Sequence, residues 1–92
     1  MKNFKKGDYV IATKYEDGDP KDHFAVGFFD SMTWHNRYNI VTSEGELFRG
    51  NGFRKAKKIS QEIGTKIIAN FKDIEQSDKS VWSWVRQFER EN

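Results

Sequence analysis

Near residue 60 the spacing of apolar residues changes, and that change constrains the fold more than any other feature of the chain. Before it, apolar and β-branched residues fall in short runs with a two-residue rhythm, cut by Gly, Asp and Pro. After it, they recur every three or four residues, as on one face of a helix. A single switch from strand rhythm to helix rhythm points to an α+β chain rather than to alternating parallel units.

The strand-like half divides at its turn residues. Residues 9–15 are β-branched, aromatic or small except for Lys14, and they stop at an acidic loop holding Asp17-Gly18 and Asp19-Pro20. In residues 24–29, alternation puts Phe24, Val26 and Phe28 on one face and Ala25, Gly27 and Phe29 on the other. The missing side chain at Gly27 marks a bend or a close backbone neighbour. Residues 38–43 and 46–49 read as a hairpin around Glu44-Gly45. Residues 53–59 fit two patterns: Phe53, Ala56, Ile59 and Ile63 have helical spacing, but the preceding Gly50-Asn51-Gly52 turn favours a fifth strand.

In the second half, Ser60 is suited to cap a helix, with Glu62 in its first turn. Ile63, Ile67, Phe71 and Ile74 make one apolar stripe; Gly64 weakens that helix by up to about 1 kcal/mol relative to Ala. Ser77-Asp78 can cap a second helix carrying Val81, Trp84, Val85 and Phe88 on one face, with Trp82 beyond its edge as a rim residue or a half-exposed contact. Helices this short are not stable alone, so they must pack on the strands or on each other. The chain thus reads as one domain over residues 1–92. The expected core is Val10, Ala12, Val26, Phe28, Ile40, Phe53, Ile63, Ile67, Phe71, Trp84, Val85 and Phe88.

Composition narrows the function classes. Aromatic residues make up 15% of the chain, which argues against disorder, and the absence of cysteine rules out disulfides and Cys-based zinc sites. No apolar run approaches the roughly 20 residues of a membrane helix, and the basic start lacks the apolar stretch of a secretory signal. The expectation is a cytoplasmic protein without membrane contact. Net charge is only +2, but it is unevenly spread: residues 16–22 hold four acids and one base, whereas residues 49–58 hold five bases and no acid.

The pattern Gly7-Asp8-x-Val10-x-Ala12, Tyr15-x-Asp17-Gly18 and Phe24-x-Val26-x-Phe28 resembles the opening of Tudor and Agenet domains. The likeness spans residues 6–59 and leaves the helical tail without a counterpart. It implies a five-stranded antiparallel SH3-like barrel over 6–59, followed by two short helices over 60–92 packed against it. Such domains can hold a methylated cation in an aromatic cage. Phe24 matches one cage position, but Lys14 stands at another unless Tyr15 slips in by one residue, and Thr42 has no ring to offer at the third. Tyr15, Phe24, Trp34 and Tyr38 can still converge as an aromatic lip at a barrel mouth, with Trp82 as a further contact. As a whole the chain is similar in style to small bacteriophage-encoded proteins of unknown function, through Ala25-Val-Gly-Phe-Phe29, Phe48-Arg-Gly-Asn-Gly-Phe-Arg-Lys55 and Lys58-Ile-Ser60. That similarity implies docking on a host protein, including a component of host defence.

No constellation for catalysis is legible. His23 and His35 match no zinc spacing, the acidic loop lacks the acid spacing and closing Glu of a calcium loop, and there is no phosphate-cradling Gly loop or nucleophile elbow. The expectation is a non-enzymatic protein without metal or cofactor. The basic block Arg49, Arg54, Lys55, Lys57 and Lys58, interleaved with Phe48 and Phe53, suits an acidic protein surface or, alternatively, nucleic acid. Alternation divides it, sending Arg54 and Lys58 to the face opposite Lys55 and Lys57. A structural subunit forming a homo-oligomer is a third reading.

Overall fold

The computed structural model describes residues 4–33, 35–42 and 52–91. Four strands, β1 (Tyr9–Thr13), β2 (Phe24–Met32), β3 (Tyr38–Thr42) and β4 (Lys55–Lys58), are followed by three helices, α1 (Gln61–Ala69), α2 (Phe71–Gln76) and α3 (Val81–Glu91). The strands form one antiparallel sheet in the order β3-β2-β1-β4. Residues 53–59, which fitted two patterns, contain strand β4.

Two expectations need correction. Among the described residues the sheet is open and four-stranded, not a closed five-stranded barrel. Among the described residues its outer strands form no ladder with each other; Tyr38 and Phe53, which precedes β4, make one isolated bridge, their N–H groups donating to each other's carbonyls at 2.7 and 2.9 Å. The strand residues did not separate the two architectures, because closure depends on whether the outer strands pair with each other, which no pattern within a single strand specifies. The expected strand at 46–49 and its hairpin lie outside the described residues. Three helices, not two, follow the sheet. The Ile63–Ile74 stripe is interrupted at Asn70, whose side-chain amide donates to the Lys66 carbonyl at 2.8 Å while its backbone leaves helical geometry (φ −110°, ψ 19°).

Both faces of the sheet are covered. On one, Ile11, Phe24 and Val26 pack with Ile63, Ile67, Ile74, Val81, Val85 and Phe88 from the helices. On the other, Val10, Ala12, Ala25, Phe29, Ile40, Phe53 and Ala56 make a second cluster, flanked by Phe4 and Tyr38. Helix α1 lies close over β1 because Gly64 has no side chain: a Cβ there would strike the Tyr9 ring. The weakening of the helix by this glycine is therefore offset by close packing. Burial in that contact raises the Tyr9 hydroxyl pKa above its ordinary value.

The expected core holds with three exceptions. Phe28 is 38% exposed, because the helical layer stops short of it, and Phe71 and Trp84 are only partly buried. Trp82, expected at the rim, is 92% covered, with 8% exposed. Ser60 caps α1 as its position suggested, its hydroxyl accepting from the Ile63 N–H at 3.2 Å. Helix α3 is capped by Ser80 rather than Ser77-Asp78: the Ser80 hydroxyl accepts from the Ser83 N–H at 3.2 Å. Ser77 instead accepts from the Trp84 indole N–H at 3.0 Å.

Candidate functional site

The two-residue period of β4 turns Lys55 and Lys57 to one side while Ala56 enters the core on the other. That side faces α3. There the helical spacing sets Val85 and Arg86 about one turn beyond Trp82. Between the two elements lies a cleft of about 220 Å³ lined by Lys55, Lys57, Trp82, Val85 and Arg86. The nearly buried Trp82 and Val85 close its floor, and three cations stand around it.

Each of these groups is held differently. The Lys55 ammonium lies 4.9 Å from the centre of the Trp82 ring, a cation–π distance. Lys57 Nζ is 3.1 Å from Glu89 Oε1. Arg86 donates from Nη2 to the Ser83 hydroxyl at 3.4 Å and has no carboxylate partner among the described residues. Trp82 is fixed from below by the acidic loop. The Val81 N–H donates to the Gly18 carbonyl at 2.7 Å, and Gly18 (φ 75°) lies so close to the indole that a Cβ would come within 2.5 Å of it.

The expected site residues are thus divided. Lys55 and Lys57 enter the cleft. Arg54 instead stacks on the Tyr15 ring at 5.5 Å, with Lys14 at 5.6 Å from the same ring. Lys58 pairs with Asp8 at 3.3 Å. Arg49 lies outside the described residues. The aromatic lip is not assembled: Phe24 is buried and stacks on Phe71 at 4.2 Å, whereas Tyr38 packs with Phe4 and Phe29 in the cluster on the opposite face. Tyr15 is exposed beyond the end of β1, and Trp34 lies outside the described residues. The rings part because successive strand residues face opposite sides of a sheet that does not close.

Glu89 is the site residue that the sequence did not single out, and Val85 was expected only in the core. The spacing of Trp82 and Arg86 by four residues was a usable signal. Glu89 had none, since its partner Lys57 is 32 residues away.

The Asp8–Lys58 pair leads to a pH prediction. The Lys5 backbone N–H is the main group holding the Asp8 carboxyl below its ordinary value of 3.8; partial burial opposes this and Lys58 adds to it. A lowered folded-state pKa gives stability that is present above the unfolded value and is lost as pH falls through the folded one. Asp8→Asn should therefore flatten the decline of the thermal midpoint below about pH 4. Parallel acid limbs for parent and variant would contradict this.

A second cleft, of about 260 Å³, is lined by Asp17, Asp19, Pro20, Lys21, Ser77, Asp78 and Ser80. Its carboxylates are engaged locally: Asp17 and Asp19 accept from the Asp19 and Lys21 N–H groups at 3.1 and 3.0 Å, and Asp78 lies 3.7 Å from Lys21 Nζ. Among the described residues no group of three or more His, Asp or Glu side chains is placed to hold a metal ion. Nor is any helix among them long and apolar enough to cross a membrane. No family model, curated protein or solved structure matches this chain.

Proposed function

We propose that this chain is a non-enzymatic binding module that docks on an acidic stretch of a partner protein through the β4–α3 cleft. The observation that carries the reading is the set of three cations, Lys55, Lys57 and Arg86, around a floor of Trp82 and Val85. Cations at a rim steer and orient an acidic partner, and the nearly buried Trp82 and Val85 give them a fixed base. Trp and Arg are also residue types that dominate binding energy at protein interfaces. The similarity to small phage-encoded proteins suggests the partner's source: a host protein, met in the cytoplasm and occluded or redirected on docking.

The nucleic-acid alternative has less support. Its basic block points in three directions, and two of its lysines are paired with carboxylates. Phe53, expected in the core, is buried there and gives the block no stacking ring.

Fluorescence anisotropy with a labelled, glutamate-rich peptide at low ionic strength tests the reading. Lys55→Glu combined with Arg86→Glu should weaken binding about 30-fold, from roughly 1 kcal/mol for each lost charge contact, with the fold retained by circular dichroism. Equal binding by parent and double variant, or equal affinity for an uncharged peptide, would overturn it. Tighter binding of a single-stranded oligonucleotide, falling steeply with added salt, would favour the alternative.

A further inference from the structure

We infer that the cleft takes an extended segment with carboxylates on alternate residues, and that Glu89 is a built-in competitor holding one of the two lysine positions until that segment arrives. The inference rests on the proposed function and deepens it. It starts from the Lys57–Glu89 contact at 3.1 Å, at the lip of the cleft, where the two side chains are 43% and 39% exposed. A pair so open to water is weak enough to be exchanged for another carboxylate. Lys55 and Arg86 have no carboxylate partner among the described residues; Lys55 lies over the Trp82 ring and Arg86 reaches Ser83. One cation of three is therefore already occupied by the kind of group the site is built to attract.

Strand geometry supplies the spacing. Lys55 and Lys57 are two residues apart on β4, hence about 6.4–6.8 Å along the strand. An extended ligand has the same period, so a Glu-x-Glu segment lying along β4 presents both carboxylates to the two ammonium groups. Arg86 faces it from α3, and the nearly buried Trp82 and Val85 form the base beneath the cations. On docking, the ligand's carboxylate replaces that of Glu89 on Lys57, and Glu89 turns to solvent. Glu89 thus discourages single anions, which must displace it with only one new contact, while a paired ligand gains Lys55 in the same step.

Anisotropy with a labelled Gly-Glu-Ser-Glu-Gly peptide at low ionic strength tests the assignment. Glu89→Gln should tighten binding about fivefold, and Glu91→Gln, an equal change in net charge further along the exposed end of α3, should change it less than about twofold. In a Lys57→Gln background the gain from Glu89→Gln should disappear, since there is then no ammonium to release. An isomer with adjacent glutamates should bind at least about threefold more weakly than the alternating peptide. Equal affinity of parent and Glu89→Gln would overturn the competitor role while leaving the acidic-ligand reading intact; no binding by either would overturn that reading too. Displacement of the peptide by a lower concentration of a single-stranded oligonucleotide would overturn the ligand class.

Discussion

Gly27→Ala should lower the stability of this protein by about 3 kcal/mol, at the upper end of what overpacking costs in a dense interior. Gly27 sits in the middle of β2, opposite Val10 on β1 and Thr42 on β3. An added methyl would meet the Val41 carbonyl oxygen and come within 2.8 Å of the Thr42 Cα. These are backbone atoms held in a ladder, so no rotamer change relieves the contact and the β2–β3 pairing itself must shift. A chain of this length has roughly 5–14 kcal/mol of stability in total, which makes the loss a large share of it. Urea unfolding with circular dichroism measures it directly. A midpoint unchanged within error would mean that β3 does not lie against β2 as described.

Trp82→Ala should be as damaging, at about 3–5 kcal/mol, the range for removing a buried aromatic ring. The ring is 8% exposed, belongs to the cluster between sheet and helices, and carries Lys55 on one face and the Gly18 backbone against its indole edge. Its loss opens a cavity and removes the floor of the cleft. The same contact makes a second substitution informative. Gly18→Ala alone forces a methyl into the indole at a positive φ. In the Trp82→Ala background the steric part disappears and only the backbone strain is left, about 1 kcal/mol. The two substitutions should thus combine to much less than the sum of their separate effects. Strict additivity in a double-mutant cycle would contradict the packing of the acidic loop on α3.

Trp82 also illustrates what a sequence can reveal. Helical spacing correctly put Val81, Val85 and Phe88 on the inner face of α3. It left Trp82 at the rim because the residue that covers it, Gly18, arrives from a loop more than sixty positions earlier. Periodicity reports which way a side chain points and says nothing of a distant loop that folds over it. Phe28 shows the converse: alternation gave the face it shares with Phe24 and Val26, but the extent of the helical layer above that face is a tertiary property. Asn70 broke a stripe that was continuous in the sequence, through a local side-chain hydrogen bond that competes with helix geometry.

The candidate site was legible by halves. Lys55 and Lys57 could be separated from Arg54 and Lys58 by strand alternation alone. Joining them to Arg86 and Glu89 required knowing that α3 runs beside β4, which no local pattern specifies. The aromatic lip failed for a related reason. Tyr15, Phe24 and Tyr38 converge only if the strands close on themselves, and the sheet stays open.

The most direct test of the cleft is a two-dimensional amide NMR titration of the ¹⁵N-labelled protein with the alternating-glutamate peptide. Saturable shifts should concentrate on the backbone amides of Lys55 to Lys57, on Arg86 and on the Trp82 indole N–H, and should disappear in the Lys55→Glu, Arg86→Glu variant. Shifts centred instead on Tyr15 and the acidic loop, or none at millimolar peptide, would contradict the account.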